Sequence, residues 1–497
     1  MNDHKRILML LSSNDVASVR RLLAAALRQG ASAQTICTIL TRAISGLYVP
    51  RGGFVQRDLD IALLVKSIGG PRLLYALQRS HGIASWRTVG RNTKIPRLLP
   101  SVAAPTSDEI MANITAFFDP SVKPHPTPTP AGHLSGNIAM LDGIALETKC
   151  RYCPKRDQIL GLCREHSCNV NTKVDSMESV DKVRTALFDS QDEDKKVCFG
   201  SDATVFGIAP YGRVDHYSTV PIVASPSDKT EKGPALADWI QTVLDVWKKH
   251  DLGEKANGPI WALASDGDST YRLAKHLICM TKELEMSSPL GNLLSNLLGF
   301  NCWTSKNGIT STCDPKHIFK RFATLLRNVS GSMVNDINIT PSDIVEQLAL
   351  LSDMNFEKAC QLLDPSDKQN VPKAVTLLQN LLQIKHLPIS PDPTINQHRN
   401  AISFIAEIFG YFLRPFITVD MSLSDQVQCL ATYSYLAAAM QIKHGSACLT
   451  GALYADTQAT VKNIIFTVAR MQNIDPNLPL HILLEGTDRL EGLFGDC

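Results

Sequence analysis

The sequence predicts an α/β (α+β) protein in which a mixed sheet is interrupted by a large all-helical insertion and preceded by a helical N-terminal domain. Short apolar runs typical of strands lie within residues 137–313, whereas residues 314–478 carry helical periodicity. A proline-rich stretch separates the strand region from the N-terminal helices. Strands followed by a helix and a further strand are typical of a layered domain built on one sheet.

Residues 1–120 are predicted to be helical, because apolar residues recur there at helical spacing. Their segment QRSHGIASWRTVGRNTKIPR contains basic residues and no acid. A helix, a glycine turn and a serine-started second helix fit a helix-turn-helix that contacts DNA. The alternative is a solvated basic face on a helical domain. The DNA-binding candidates are Arg79, Arg87, Arg91, Lys94 and Arg97.

Residues 121–136 predict an extended linker, because prolines occupy positions 124, 126, 128 and 130. Residues 137–313 then form the first part of the core. In this part NIAMLDGIALET and PIWALASDGDS predict buried strands, and GPALADWIQTVLDVWKKH predicts a helix that starts at a proline. Residues 314–478 show no fixed repeat period, which indicates one helical insertion rather than a solenoid. Residues 479–497 are predicted to return to the core.

The composition is that of an ordinary soluble globular protein, with 44% hydrophobic and 20% charged residues. The net charge of +2 means that any nucleic-acid surface must be a local patch. The N-terminal apolar run is too short for a signal peptide, and the most apolar helix is too short for a membrane span. The 13 cysteines therefore predict reduced thiols in the cytosol or nucleus.

Two aspartates lie where the pattern predicts buried strands. Asp142 is flanked by apolar residues in AMLDGIAL, and Asp266 follows the strand PIWALAS. A charge in such surroundings is costly unless it is paired or binds a cation, and ligands gather at the carboxyl ends of strands. The alternatives are an acid at an exposed strand edge and an ordinary Asp-Gly turn before Asp268.

A third acid lies in TDRLEGLFGDC. Thr487 can cap a helix, and Leu490 and Phe494 form an apolar pair at i, i+4. Glu491 therefore falls at the border of core and solvent. The alternative is a surface glutamate, and Glu485 is an equal rival for the same role. Three separated carboxylates suit two Mg²⁺ (or Mn²⁺) ions about 4 Å apart, which hold the attacking and leaving oxygens in phosphoryl transfer.

The motifs ASDGDSTYR, STCDPKHIFKRF and TDRLEGLF, in this order, resemble those of P element-like and hAT-like transposases, and more closely a group of transposase-like proteins of mushroom-forming fungi. The resemblance covers roughly residues 60–497. It implies an RNase H-like core whose third acid lies beyond a helical insertion. It also implies that Asp142, Asp266 and Glu491 are the catalytic, magnesium-binding acids.

The same resemblance implies that Asp314 and His317, which fall on the family's Asp-x-x-His motif, shape the site. It implies DNA as the partner, a homo-oligomer, no membrane and a nuclear location. Gly143 follows Asp142 where the family often has glutamate. The sequence ends six residues after Glu491, where the family continues with a helix and usually an arginine. We therefore expect a truncated or degenerate copy.

A cysteine-rich segment, CRYCPKRDQILGLCREHSC, has the Cys-x-x-Cys and Cys-x-x-His spacing of tetrahedral zinc ligands. The predicted turn between the two pairs would bring them together in a hairpin. The alternative is the same hairpin without metal. The zinc candidates are Cys150, Cys153, Cys163 and His166.

Three hypotheses of function follow. The first is a DNA transposase that cleaves and transfers strands with an Asp-Asp-Glu triad. The second is a non-enzymatic DNA-binding or regulatory protein that descends from a transposase. The third is a helical protein-interaction scaffold, which requires a chain without a central mixed sheet.

Overall fold

The structure is a computed structural model, and it describes residues 23–24, 26–44, 54, 56–81, 83–92, 96–190, 196–212 and 218–495. The chain divides into two compact units, Met1–Pro96 and Arg97–Cys497. The described part of the first unit is helical, and the second unit contains the sheet.

The first unit contains the helices Ala33–Ile44, Gln56–His81 and Trp86–Asn92. Gly70 has a φ of 73° and interrupts the helical backbone of the second helix just before Pro71. This break is expected, because proline lacks an N–H and disfavours the helical conformation of its predecessor. The last two helices share a small apolar core, which consists of Leu59, Ala62, Leu74, Ala84 and Val89.

The basic residues predicted to bind DNA do not all belong to one unit. Arg79 lies near the end of the long second helix, and Arg87 and Arg91 are exposed on the short third helix. Arg97 is exposed but belongs to the second unit, and Lys94 lies outside the described residues. A helix, a short connection and a second helix are thus present where the sequence predicted them, while DNA contact stays a prediction.

The central sheet of the second unit has five strands: β1 (Asn137–Ala145), β4 (Asp202–Pro210), β5 (Val220–Ser227), β6 (Ile260–Ser265) and β9 (Thr310–Cys313). Short antiparallel pairs join β2 (Arg151–Cys153) to β3 (Gln158–Leu160), β7 (Lys282–Glu283) to β8 (Trp303–Thr304) and β10 (Ser332–Val334) to β11 (Ile337–Ile339). The order in the sheet is β5-β4-β1-β6-β9. β1 runs antiparallel to β4 and parallel to β6, and β9 runs parallel to β6. The predicted mixed α/β fold with an RNase H-like core is confirmed.

β1 lies at the centre of the sheet because its first half is apolar on both faces. Ile138 and Met140 face one layer, and Ala139 and Leu141 face the other; all four are fully buried. A strand with this run of apolar residues is stable only where both faces are covered. The scaffold hypothesis required a chain without such a sheet, so its structural condition is not met.

Three helices cover the face of the sheet that carries Ala139 and Leu141. They are Ser107–Phe118, Gly233–Lys249 and Ser269–Cys279. The helix Ser107–Phe118 was predicted as part of the N-terminal domain, but it packs with the sheet through Ile110 and Ile114. Its start is fixed by a capping box between Thr106 and Glu109. Residues 121–136, all described, contain neither helix nor strand.

The helical insertion has its own core, in which aromatic rings stack closely. The rings of Phe322 and Phe409 lie 4.2 Å apart, and Phe412 contacts Tyr433 edge-on at 5.0 Å. The insertion consists mainly of the helices Pro315–Leu326, Pro341–Leu348, Phe356–Leu363, Val371–Leu381, Pro393–Ile417, Leu423–His444 and Gly451–Ile474. The remaining helices of the second unit are Met177–Phe188, Glu254–Asn257, Pro289–Leu294 and Asp488–Gly495.

The helix Gly451–Ile474 connects the insertion to the sheet. Its apolar residues, such as Phe466, belong to the core of the insertion. Its polar side contacts β9, where Thr460 accepts a hydrogen bond from the Cys313 N–H (3.1 Å). The chain then crosses the face of the sheet that carries Ile138 and Met140, where Leu490 packs against Met140 and its neighbours. No helix in the described ranges is long and apolar enough to cross a membrane.

Candidate active site

Asp142 lies within β1, and Asp266 directly follows the neighbouring parallel strand β6. Leu141 of β1 pairs with Ser265 of β6 at the end of the contact between the two strands, so each aspartate is the next residue after that last pair. Strands in a sheet are about 4.8 Å apart, and side chains two residues apart share a face. Asp142 therefore continues the row of Met140, on the face that the final helix covers. The two acids that the sequence singled out separately are neighbours in space.

Local hydrogen bonds hold both aspartates. The Gly143 N–H donates to Asp142 Oδ1 at 2.8 Å. The Asp268 N–H donates to Asp266 Oδ1 at 3.1 Å, and Asp268 itself caps the helix Ser269–Cys279 by accepting from the Thr270 N–H at 2.7 Å. Asp268 therefore begins the helix Ser269–Cys279. Because the Asp268 N–H is bonded to Asp266, the helix holds the turn in which Asp266 lies.

Glu491 reaches the site from the final helix, Asp488–Gly495. Leu490 is fully buried against the sheet, and the side chain of Glu491 is 41% exposed beside it. The sequence pattern predicted this border position. The Glu491 N–H donates to the Thr487 carbonyl at 3.0 Å, which places the carboxylate in the first helical turn.

The charge of Glu491 acts on Asp142. The pKa of Asp142 is raised to about 6, chiefly by burial and also by the neighbouring carboxylates of Asp266 and Glu491, which act against the Gly143 hydrogen bond and the charge of His317. The three acids therefore share one local field. Within the described residues their oxygens do not form a cluster in which all lie within 4.8 Å of one another. The three carboxylates therefore do not form a closed cage for a single ion.

His317 pairs with Glu491, with 3.6 Å between Nε2 and Oε1. The contact with Glu491 raises the pKa of His317, and the same contact lowers the pKa of Glu491. The resemblance implied that His317 shapes the site, and its position beside the third acid gives a physical means for that role.

Asp314 acts through the backbone. It is 1% exposed, and its Oδ1 accepts from the N–H groups of Lys316 (2.7 Å) and His317 (3.2 Å) at the start of the insertion. Its Oδ2 accepts from the Thr487 N–H at 2.9 Å. One carboxylate thus caps the first insertion helix and holds the segment that leads to Glu491. Sequence reasoning assigned Asp314 to the site but missed this contact, because it joins residues 173 positions apart.

Glu485, the rival of Glu491, belongs to the interior. It is 4% exposed and accepts hydrogen bonds from Tyr211 (3.2 Å) and Asn463 (2.8 Å). Burial raises its pKa to about 7, against those hydrogen bonds. Its two oxygens are thus occupied by protein donors, whereas Glu491 is partly open to solvent.

A cleft of about 250 Å³ lies in front of Asp142 and Asp266, and Arg164, Lys229 and Tyr271 are among its lining residues. Arg164 is held by Glu231 (2.7 Å), by the Thr204 hydroxyl (3.0 Å) and by the face of Trp239. Lys229 is largely exposed. No sequence pattern linked these cations to the two aspartates, because the chain brings them in from another loop.

A second pair of cations lies behind Asp266. Arg272 donates to both oxygens of the buried Asp456 (2.9 and 2.8 Å) and to the carbonyl of Gly267, and Arg321 pairs with the same carboxylate. A Cβ on Gly267 would lie 2.8 Å from Arg321 Nη1, so a larger residue there would displace the guanidinium group. Through these contacts, the turn that contains Asp266 and Gly267 is attached to Asp456 of the insertion.

The cysteine-rich segment is arranged differently from the prediction. Cys163 and His166 do lie together, with 3.2 Å between Sγ and Nδ1, but their third neighbour is Asp228. Cys150 and Cys153 belong to no such cluster of three or more ligand-type side chains in the described part of the chain. They flank β2, whose pairing with β3 places Cys153 opposite Gln158 rather than opposite Cys163.

The sheet order and the site define a class of fold, the RNase H-like core, with one acid on β1 and another directly after β6. The comparison with solved structures agrees with this class. The structure is similar to the Drosophila P element transposase strand transfer complex, with a TM-score of 0.57 over 96% of this chain and 92% of that chain, at 11% sequence identity. No protein-family model matches the sequence, and no curated protein matches it. The similarity shows a transposase-like fold.

Proposed function

We propose that this protein is a transposase-like protein that cleaves and transfers DNA strands with Asp142, Asp266 and Glu491. The observation that carries the proposal is the convergence of these acids: Asp142 and Asp266 each follow the last residue pair between β1 and β6, and Glu491 lies close enough to raise the pKa of Asp142. The P element-like, hAT-like and fungal relationships that the motifs indicate belong to the same proposal, as do a homo-oligomer and a nuclear location.

The donor set fits Mg²⁺ or Mn²⁺, because all three candidate ligands are carboxylates and hard divalent cations prefer oxygen. Bound ions would supply Lewis-acid stabilisation of the phosphate and of the attacking hydroxyl. The side chains Asp142 and Asp266 would hold them from the sheet. Glu491 would close the site from the final helix, and His317 would control whether that carboxylate is available.

Cations beside the acids support DNA as the substrate. Arg164 and the largely exposed Lys229 line the cleft beside Asp142. Phosphate contacts from such residues are independent of sequence and weaken steeply with salt. They would bind the backbone on which the acids act.

The test is strand nicking of a supercoiled plasmid by the full chain with Mg²⁺ or Mn²⁺. Asp142→Asn, Asp266→Asn and Glu491→Gln should each abolish nicking, whereas Asp353→Asn, at an exposed acid of the insertion, should not. Salt-sensitive DNA binding without nicking by the wild-type chain would favour the non-enzymatic, transposase-derived function instead. Neither binding nor nicking would reject both.

A further inference from the structure

A second side-chain cluster, outside the acidic site, has the chemistry of a transition-metal centre. Cys163 Sγ lies 3.4 Å from Asp228 Oδ2, and His166 Nδ1 lies 3.1 Å from the same oxygen. With the 3.2 Å between Cys163 and His166, the three ligand atoms form a nearly equilateral triangle. In tetrahedral zinc sites with bonds of about 2.0–2.3 Å, ligand atoms lie roughly 3.3–3.6 Å apart.

The contacts exclude a nucleophile-relay arrangement. In a catalytic Cys-His-Asp relay the nucleophile and the acid contact different ring nitrogens of the histidine. Here both Cys163 and Asp228 approach the same atom, Nδ1 of His166. The three ligand-type atoms lie within 4.8 Å of one another, which is the spacing of metal ligands.

The surroundings hold the ligands in place. Asp228 Oδ1 accepts from the N–H (3.0 Å) and the hydroxyl (2.6 Å) of Thr230, which leaves Oδ2 directed at the other two ligands. Such hydrogen bonds to a ligating carboxylate orient it in metal sites. Cys163 is fully buried, whereas the side chain of His166 is 35% exposed. A fourth position is therefore accessible to water from the His166 side.

We infer that Cys163, His166 and Asp228 bind one zinc ion, with water as the fourth ligand. Thiolate and imidazole select zinc over magnesium, so this centre is chemically distinct from the acidic site. On binding, the Cys163 thiol loses its proton to solvent and its sulfur forms the metal bond. The inference rests on these contacts and not on the proposed function.

The position of the centre indicates its role. Cys163 and His166 follow β3, and Asp228 follows β5 directly, so the ion would join the segment after β3 to the edge strand of the sheet. Arg164 lies between the two loop ligands and lines the cleft beside Asp142. A metal clamp at this point would fix the cleft wall that Arg164 and its partner Glu231 form.

The experiment measures zinc in the full chain, purified without chelators, by inductively coupled plasma mass spectrometry. We expect one zinc per chain in the wild type and at least a tenfold lower content in Cys163→Ser and Asp228→Asn. The matched control is the double variant Cys150→Ser/Cys153→Ser, which should keep its zinc. Loss of zinc in this control together with retention in Asp228→Asn would overturn the proposed ligand set.

Cobalt substitution gives a second readout that needs no variant. Co²⁺ in this site should show the intense visible bands of a tetrahedral thiolate complex, and zinc should raise the thermal unfolding midpoint of metal-free protein. These two results would support the site even if the Cys163→Ser chain does not fold. A wild-type chain that shows only the weak bands of six-coordinate Co²⁺ and no stabilisation by zinc would reject it.

Discussion

The carboxylate of Asp314 accepts a hydrogen bond from the backbone N–H of Thr487 at 2.9 Å, and this contact joins the start of the helical insertion to the segment that leads to Glu491. Lys316 pairs with Asp488 and His317 pairs with Glu491, so the same two segments meet at two further points. Gly486, with a φ of 89°, allows the approach, because a Cβ there would lie 2.5 Å from Asp314 Oδ2. The position of the third acid therefore depends on the insertion helix.

Replacement of Asp314 should cost more stability than the loss of a helix cap. Asp314→Ala removes the cap of Pro315–Leu326 and leaves the buried Thr487 N–H without its acceptor, so we expect a loss of about 2–4 kcal/mol in the free energy of unfolding. Asp392→Ala is the matched control, because Asp392 caps another proline-started helix at an exposed position. It should lose about 1 kcal/mol. Urea denaturation measures both losses. Equal losses would show that the bond between Asp314 and the Thr487 N–H adds nothing to the helix cap.

Asp142 should destabilise the metal-free protein at neutral pH. Its folded pKa of about 6 lies above the ordinary aspartate value of 3.8, so its contribution to stability is fully present below pH 3.8 and is lost as the pH rises through 6. Asp142→Asn removes this penalty and should stabilise the metal-free chain at pH 7 by about 1–3 kcal/mol. Unfolding in EDTA at pH 5 and pH 7 measures the difference, which should shrink at the lower pH. Asp353→Asn should change neither value.

His317 should compete with metal ions for Glu491. The pKa of His317 is raised by Glu491, so the pair is stabilised below the ordinary histidine pKa of 6.5 and weakens as the pH rises through the higher folded value. We therefore expect Mn²⁺ affinity to increase several-fold over this pH range. His317→Gln should flatten that part of the dependence. Calorimetric titration at several pH values measures it, and an unchanged profile in the variant would show that His317 does not regulate the carboxylate.

Glu485 and Glu491 should have different roles, because Glu485 stabilises the interior and Glu491 is proposed to bind metal. Glu485→Gln keeps a polar side chain of the same size inside the network of Tyr211 and Asn463, so strand nicking and Mn²⁺ binding should persist. Glu491→Gln should abolish both. Glu485→Ala should instead lower the free energy of unfolding by about 2–4 kcal/mol, because it leaves buried donors without an acceptor. Loss of nicking in a folded Glu485→Gln chain would indicate that Glu485, and not Glu491, is the third acid.

The sequence by itself determined the helices and strands and showed which of them carry acidic residues. Apolar runs fixed the strands that carry Asp142 and Asp266, and the pair Leu490 and Phe494 placed Glu491 at the edge of the core. These features could be predicted because strand alternation and helical spacing depend on residues only a few positions apart. The motif order also indicated the RNase H-like core that the sheet confirms.

Only the tertiary structure decided which of these residues meet. It brought Asp228 to Cys163 and His166 in place of Cys150 and Cys153, and it buried Glu485 while leaving Glu491 open. It also moved the helix Ser107–Phe118 onto the sheet. The physical reason is that contacts between distant segments follow from how the apolar faces of sheet and helices are buried together, and local periodicity does not specify that pairing.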